Sequence, residues 1–160
     1  MTEATIQTKP ILKIRNLTHQ FDDKTALSDV SFDVMDGEFL AILGPSGCGK
    51  TTILRILIGL LEPTSGTIHM EDRDITYADP SARNMGIVFQ NYALFENMTV
   101  LQNVQYALKI KKETKTASKE MALEMLGRMG LLEHKDKRPN ELSGGQQQRV
   151  AIARTLVLHP

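Results

Sequence analysis

Gly44-Pro45-Ser46-Gly47-Cys48-Gly49-Lys50-Thr51 decides the reading of this 160-residue chain. It has the spacing GxxxxGK[ST], with the apolar run Phe39 to Leu43 before it and a nearly all-round apolar stretch from Lys50 to Leu61 after it. That context predicts a buried parallel strand turning sharply into a helix that lies inside a layered core. Such a turn aims consecutive backbone N–H groups at an anion, and the positive end of the helix adds to the attraction. Gly44, Gly47 and Gly49 permit the backbone angles and the close approach. Lys50 brings a mobile ammonium to the outer phosphates, and the Thr51 hydroxyl is the expected magnesium ligand. Thr52 begins the packed part of the helix. The segment from Gly44 to Thr52, Pro45, Ser46 and Cys48 included, is therefore the candidate triphosphate site. The bland alternative, a glycine-rich turn with a chance lysine, needs a coincidence on the order of one in a hundred or less.

Working outward, Ile11 to Arg15 and Val30 to Val34 alternate apolar and polar residues as half-exposed strands do. Asp36-Gly37 reads as a turn leading into the strand before the loop. Glu62 to Gly66 breaks the helix, and Thr67 to Met70 and Met85 to Phe89 read as further strands. After Gln90 the character changes. Thr99-Val100-Leu101-Gln102 has capping-box spacing, opening a helix to about Ile110. The basic stretch Lys109 to Lys119 reads as a solvated loop and helix start. Met121, Met125 and Met129 recur at helical spacing as core, with Gly130 as the stop. Ser143 and Gln146 form a second capping box, on a helix that Pro160 ends. The predicted organisation is a P-loop core with an antiparallel β part over residues 1–90 and a helical subdomain over 91–160.

Composition narrows the class. The 19 basic and 19 acidic residues balance to zero, which argues against a nucleic-acid partner. Met1 to Pro10 is polar and has no apolar targeting run. The longest apolar stretch, Ile53 to Leu61, is interrupted by Arg55 and Gly59 and is too short to span a bilayer. Cys48 is the only cysteine, so neither an intramolecular disulfide nor a zinc cluster is expected. A cytosolic setting follows by default, with any membrane role coming through a partner. The guanine-reading Asn-Lys-x-Asp motif is absent, as are the His-Arg-Asp and Asp-Phe-Gly motifs of protein kinases.

Leu142-Ser143-Gly144-Gly145-Gln146-Gln147-Gln148-Arg149 offers a hydroxyl and two glycine N–H groups at a helix start, a second anion site. Alone it would be weak, since an ordinary capped helix has the same ingredients. Together with the phosphate loop, the chain resembles the nucleotide-binding subunits of ATP-binding cassette (ABC) transporters from Ile11 to Pro160. The resemblance implies an α/β P-loop NTPase cassette with a mixed sheet core and a helical subdomain, using ATP and Mg2+. It makes Leu142, Ser143, Gly144, Gly145 and Gln146 the signature motif, facing nucleotide held by a second subunit paired head to tail. Gly86 to Gln90 resembles the Q-loop, which gives Gln90 the catalytic contact to magnesium and the attacking water. Phe21 matches the aromatic that stacks on adenine, its alternative being a core phenylalanine.

Tyr92, Leu94, Phe95 and Met98 read as an exposed apolar cluster of the kind that marks a partner site. Under the resemblance they dock a cytoplasmic helix of a transmembrane permease subunit. The wording around Gln90 and Gln146 is similar to the importer branch that handles polyamines, ferric iron, phosphonates, sulfate and sugars. Glu96 departs from it, standing where that branch has proline, and implies a less rigid loop. The family's next strand, ending in Asp-Glu, and its later switch histidine do not precede Pro160. His19, His69, His134 and His159 read as surface or partly buried. The cassette is thus expected to be C-terminally incomplete, binding nucleotide weakly at best without turnover.

The implied function is the ATP-binding subunit of an importer, hydrolysing ATP when complete. It would sit peripherally on the cytoplasmic face of the cell membrane and reach a solute-binding protein only indirectly. The alternatives are a soluble cassette acting on ribosomes or DNA, and an inactive fragment. The solute is not written in these residues.

Overall fold

The computed structural model describes residues 9–111 and 113–160. The polar stretch 1–8, on which the lack of a targeting run was read, and Lys112 in the basic stretch lie outside the described residues. The chain divides into two compact units, Met1–Met85 and Gly86–Pro160.

In the first unit, β1 (Pro10–Phe21) and β2 (Lys24–Met35) form a hairpin closed at Asp22 and Asp23. β1 also pairs with β3 (Ser65–Met70), which pairs with the short β4 (Arg73–Asp74), giving the order β2-β1-β3-β4. Every pairing is antiparallel. Ile14 sits opposite both Phe32 and Ile68, and Ile14, Leu17 and Ile68 are fully buried. Both strands run well beyond the alternating segments because the register shifts between Ile14 and Leu17. A bulge there breaks the period of two that marks a strand in sequence.

α1 (Lys50–Leu57) lays Ile53, Ile56 and Leu57 on this sheet beside Leu27 and Ile75. It is shorter than the apolar run predicts. Gly59, at φ 79°, takes the left-handed position after the helix. Its N–H donates to Ile56 O at 3.0 Å, and Leu60 N–H reaches back to Arg55 O at 2.9 Å. That pair of bonds is a Schellman stop, which ends the helix inside an apolar stretch. The helix is also not buried all round, since Leu54 is 44% exposed. Arg83 finishes the job. It is only 2% exposed and donates to Ile56 O, Leu57 O and Ala78 O at 2.9 Å and to Thr76 O at 3.0 Å. A cation at the carboxyl end of a helix meets the negative end of the helix dipole. Burial nevertheless lowers the Arg83 pKa from its ordinary value.

Two expected strands are not formed. Residues 39–43 and 85–89 carry no strand, and Phe39 and Leu43 are 94% and 89% exposed. A parallel strand needs a neighbour on its edge to take its N–H and C=O groups. No such neighbour pairs with either segment among the described residues. The parallel part of the expected mixed sheet is accordingly not formed among the described residues, and the turn at Asp36-Gly37 leads into an irregular segment.

The second unit packs α2 (Val100–Ile110), α3 (Lys115–Arg128) and α4 (Gly144–Leu156) around Val104, Leu108, Leu126, Val150 and Val157. The capping box opening α2 is present: Gln102 N–H donates to Thr99 Oγ1 at 3.2 Å and Thr99 N–H to Gln102 Oε1 at 2.9 Å. Met125 is buried and Met121 and Met129 pack partly buried against the same core, ahead of Gly130.

Candidate functional site

The phosphate loop is held in a form suited to an anion. Gly49 is the N-cap of α1 in the left-handed conformation, φ 94°, and no side chain caps the helix. A Cβ at Gly49 would come within 2.6 Å of Ala26 O and 2.7 Å of Leu27 Cδ2, so the loop end is pressed against the β1–β2 hairpin and only glycine fits. Ser46 and Gly47 form an exposed turn, Gly44 and Pro45 are exposed, and Thr52 is half-buried. The exposed Thr51 stands in the first turn of α1, where a hydroxyl supplies the hard oxygen that Mg2+ prefers. Lys50 Nζ donates to Gly44 O at 2.7 Å and to Pro45 O at 2.6 Å. It has no carboxylate partner among the described ion pairs, so its charge rests on neutral carbonyls that phosphate oxygens outcompete.

Cys48 is exposed and folds back into the loop. A Cβ on Gly44 would meet its Sγ at 2.6 Å, and Lys50 Nζ lies 3.5 Å from the sulfur. A reagent on Cys48 would crowd the space between Gly44 and Lys50, where an anion held by this loop would sit. MgATP is expected to slow alkylation of Cys48 severalfold, and complete alkylation to block nucleotide binding. Mass-spectrometric labelling courses with and without MgATP check this, and equal rates would remove Cys48 from the site.

Phe21 ends β1 opposite Lys24, two residues from the Ala26 that touches Gly49. It is 48% exposed, which rules out the core-phenylalanine alternative. Its ring meets that of His19 edge-on, with centroids 4.4 Å apart at 80°. A half-exposed aromatic thus stands at the same end of the unit as the phosphate loop. His19 is buried rather than on the surface.

In the second unit, Gln90 is exposed in a turn. The segment before it is fastened to α4, where Thr155 Oγ1 donates to Ile87 O at 3.3 Å. The cluster after it is not the exposed patch that was expected: Tyr92, Leu94, Phe95 and Met98 are all half-buried. Leu94 packs on the helical core, and the Phe95 ring lies 4.6 Å from that of Tyr106. Two polar residues account for the difference. Buried Asn103 accepts from Phe95 N–H at 2.9 Å and donates to Phe95 O, Met98 O and Thr99 O. Arg154 donates to Tyr92 O at 3.0 Å and Ala93 O at 2.7 Å, and its guanidinium lies 5.5 Å from the Phe95 ring centroid. These bonds brace the loop where Glu96 replaces the expected proline. They also hold Tyr92 and Ala93 at positive φ, 59° and 47°.

Ser143 is the N-cap of α4, with Gly144 and Gly145 in its first turn, all three exposed, while Leu142 is buried. Ser143 Oγ accepts from Gln146 N–H at 3.3 Å, and Gln146 Oε1 accepts from Ser143 N–H at 2.8 Å. The glycines leave the first turn open to an approaching anion, as no side chain covers it.

The family model described as "ABC transporter" matches residues 27–160. The chain belongs to the ABC transporter family. The spermidine/putrescine import ATP-binding protein of Marinobacter nauticus is 48% identical over 150 residues, covering 94% of this chain and 40% of that relative. The chain thus spans well under half the length of the curated relatives it matches. Among solved structures, cbiO1 from Clostridium perfringens, part of the ABC transporter complex cbiONQ, aligns with TM-score 0.84 at 34% identity. It covers 94% of this chain and 62% of that one. The ATP-binding cassette MJ0796, in a dimeric post-hydrolysis state bound to ADP and Pi, aligns with TM-score 0.82 at 35% identity, covering 93% and 70%. The fold is therefore that of an α/β ABC cassette.

Three residues with no signal in the local sequence, Arg83, Asn103 and Arg154, shape these sites, as does His134, whose expected setting was no more than surface or partly buried. Arg83 and Asn103 brace the ends of helices, Arg154 braces the loop after Gln90, and His134 reaches Gln146.

Proposed function

We propose that this chain is the ATP-binding part of an ABC import transporter, and that the whole protein couples ATP binding and hydrolysis to solute uptake. The observation that carries this is the uncapped start of α1 beneath a glycine-shaped loop, with Lys50 parked on the loop's own carbonyls. Residues Gly44 to Thr52 hold the phosphates and Phe21 stacks on the base. Thr51 ligates Mg2+, and Gln90 contacts the metal and the attacking water. Leu142 to Gln146 face the nucleotide of a second subunit paired head to tail, with the exposed Ser143, Gly144 and Gly145 making the contact. The likeness to a spermidine/putrescine import protein favours a polyamine among the solutes of that branch.

No helix among the described residues is long and apolar enough to cross a membrane. On this reading the chain sits peripherally on the cytoplasmic face, docked to permease subunits through the remaining exposed surface of Tyr92, Phe95 and Met98 around Leu94. A solute-binding protein is reached only through those subunits. Phe95→Asp is expected to lower uptake about tenfold or more in the assembled transporter, the loss an interface anchor carries. Nucleotide affinity should stay unchanged, and unimpaired uptake would move the docking site elsewhere.

Sedimentation with and without MgATP tests the reading as a whole. Nucleotide should drive self-association, and Ser143→Arg should abolish that association while leaving the nucleotide affinity of the dilute, unassociated chain unchanged. Failure of MgATP to bind, or binding with no effect of Ser143→Arg on association, would contradict it.

A further inference from the structure

His134 stands against the signature segment in a way that fixes its own chemistry. It ends the short 3-10 turn Leu132–His134, is half-buried, and holds its Nε2 2.9 Å from Gln146 Nε2. The Gln146 carboxamide is not free to turn over, because its oxygen is committed to Ser143 N–H at 2.8 Å. The atom facing the imidazole is therefore an amide nitrogen, which only donates. His134 Nε2 must accept, and its single ring hydrogen then sits on Nδ1. Nδ1 is buried and has no hydrogen-bond partner among the described residues. In a neutral imidazole the tautomer is set by the bonds the ring makes. Nothing at Nδ1 selects this one, so Gln146 does.

The post is itself anchored. Leu101 N–H donates to Lys135 O at 2.9 Å and Val100 N–H to Lys137 O at 2.8 Å, tying the turn that carries His134 to the first residues of α2. A fixed acceptor on one side and the Ser143 N–H on the other leave the Gln146 side chain a single orientation.

We propose that His134 is a positioning residue for the signature segment. By accepting from Gln146 Nε2 it holds the carboxamide in the pose that caps Ser143, and so sets how Ser143 Oγ and the Gly144 and Gly145 N–H groups are presented. That the presented groups meet nucleotide rests on the proposed function; the relay from His134 to Gln146 to Ser143 does not.

The test separates the two. In 15N-labelled wild-type protein, long-range nitrogen–proton spectra should find His134 with its hydrogen on Nδ1 and a bare Nε2. Losing the acceptor in His134→Leu should speed amide exchange at Ser143 about fivefold, the worth of one net hydrogen bond. His134→Gln carries an oxygen as many bonds from Cβ as Nε2 and should restore protection; His134→Asn, one bond shorter, should not. A merely structural, space-filling role would be served as well by leucine as by glutamine. An Nε2–H tautomer, or Ser143 exchange in His134→Leu equal to wild type, would overturn the proposal. Neither readout involves nucleotide, so MgATP-driven association can fail while the relay stands, and the reverse.

Discussion

Lys50→Ala is expected to weaken MgATP binding by about a hundredfold or more and to leave the unfolding midpoint almost unmoved. The two halves of that result have different physical sources. In the structure the Lys50 ammonium bonds Gly44 O and Pro45 O in an exposed loop, and no carboxylate among the described residues pairs with it. Surface changes of that kind usually stay within about 0.5 kcal/mol. In the proposed site, bound triphosphate would replace those neutral carbonyls with charged oxygens. A charge-assisted bond contributes about 1.5–3 kcal/mol, and two of them account for at least a hundredfold in affinity. Calorimetric titration alongside thermal unfolding reads both quantities. Unchanged affinity would remove Lys50 from the phosphate site, and a large fall in midpoint would make it structural.

Arg83→Met should have the larger effect on stability. Methionine has a similar unbranched reach and no donors, so the carbonyls of Ile56, Leu57, Thr76 and Ala78 lose the guanidinium together. An orphaned buried acceptor costs about 1–3 kcal/mol. The full sum is not expected. Ile56 O keeps its bond from Gly59 N–H, and removing the charge relieves the desolvation that lowers the Arg83 pKa. A net loss of about 3 kcal/mol remains, near the top of the range for single substitutions. Chemical denaturation of the variant measures it directly, and a loss under about 1 kcal/mol would show that water replaces the guanidinium without difficulty. Because those bonds hold the far end of α1, the variant should also bind nucleotide less well than its folded fraction alone explains.

The features legible in the sequence were those written in adjacent residues. Thr99 with Gln102 and Ser143 with Gln146 each fit inside one helical turn, and both boxes form as the spacing predicts. The phosphate loop is likewise local, and Gly49 proves to be a position that admits no side chain. Local patterns failed where pairing or a distant partner decides. Phe39 to Leu43 has the composition of a buried strand, yet strands exist only as pairs, and no neighbour pairs with it among the described residues. The stop at Gly59 was hidden because one glycine in an apolar run is weak punctuation until its N–H bonds are seen.

Polar residues that work at long range were the least legible. Arg83 reaches carbonyls 26 and 27 residues away, and Arg154 reaches carbonyls 61 and 62 residues away. Nothing in the neighbouring letters distinguishes them from solvated surface charges. His134 is the same case. Its place beside Gln146 follows from the turn that ties it to α2, which no spacing rule encodes.

Amide hydrogen exchange with and without MgATP tests the central claim most directly, because it reads both anion sites in one sample. Nucleotide should slow exchange across Gly47 to Thr51 at any protein concentration. It should slow Gly144 to Gln146 only as concentration rises, because in the proposed head-to-tail pair those residues would meet nucleotide held by another subunit. Slowing at the phosphate loop together with concentration-dependent slowing at the signature segment is the expected outcome. Unchanged exchange at Gly47 to Thr51 under saturating MgATP would contradict the assignment of this chain as an ATP-binding cassette.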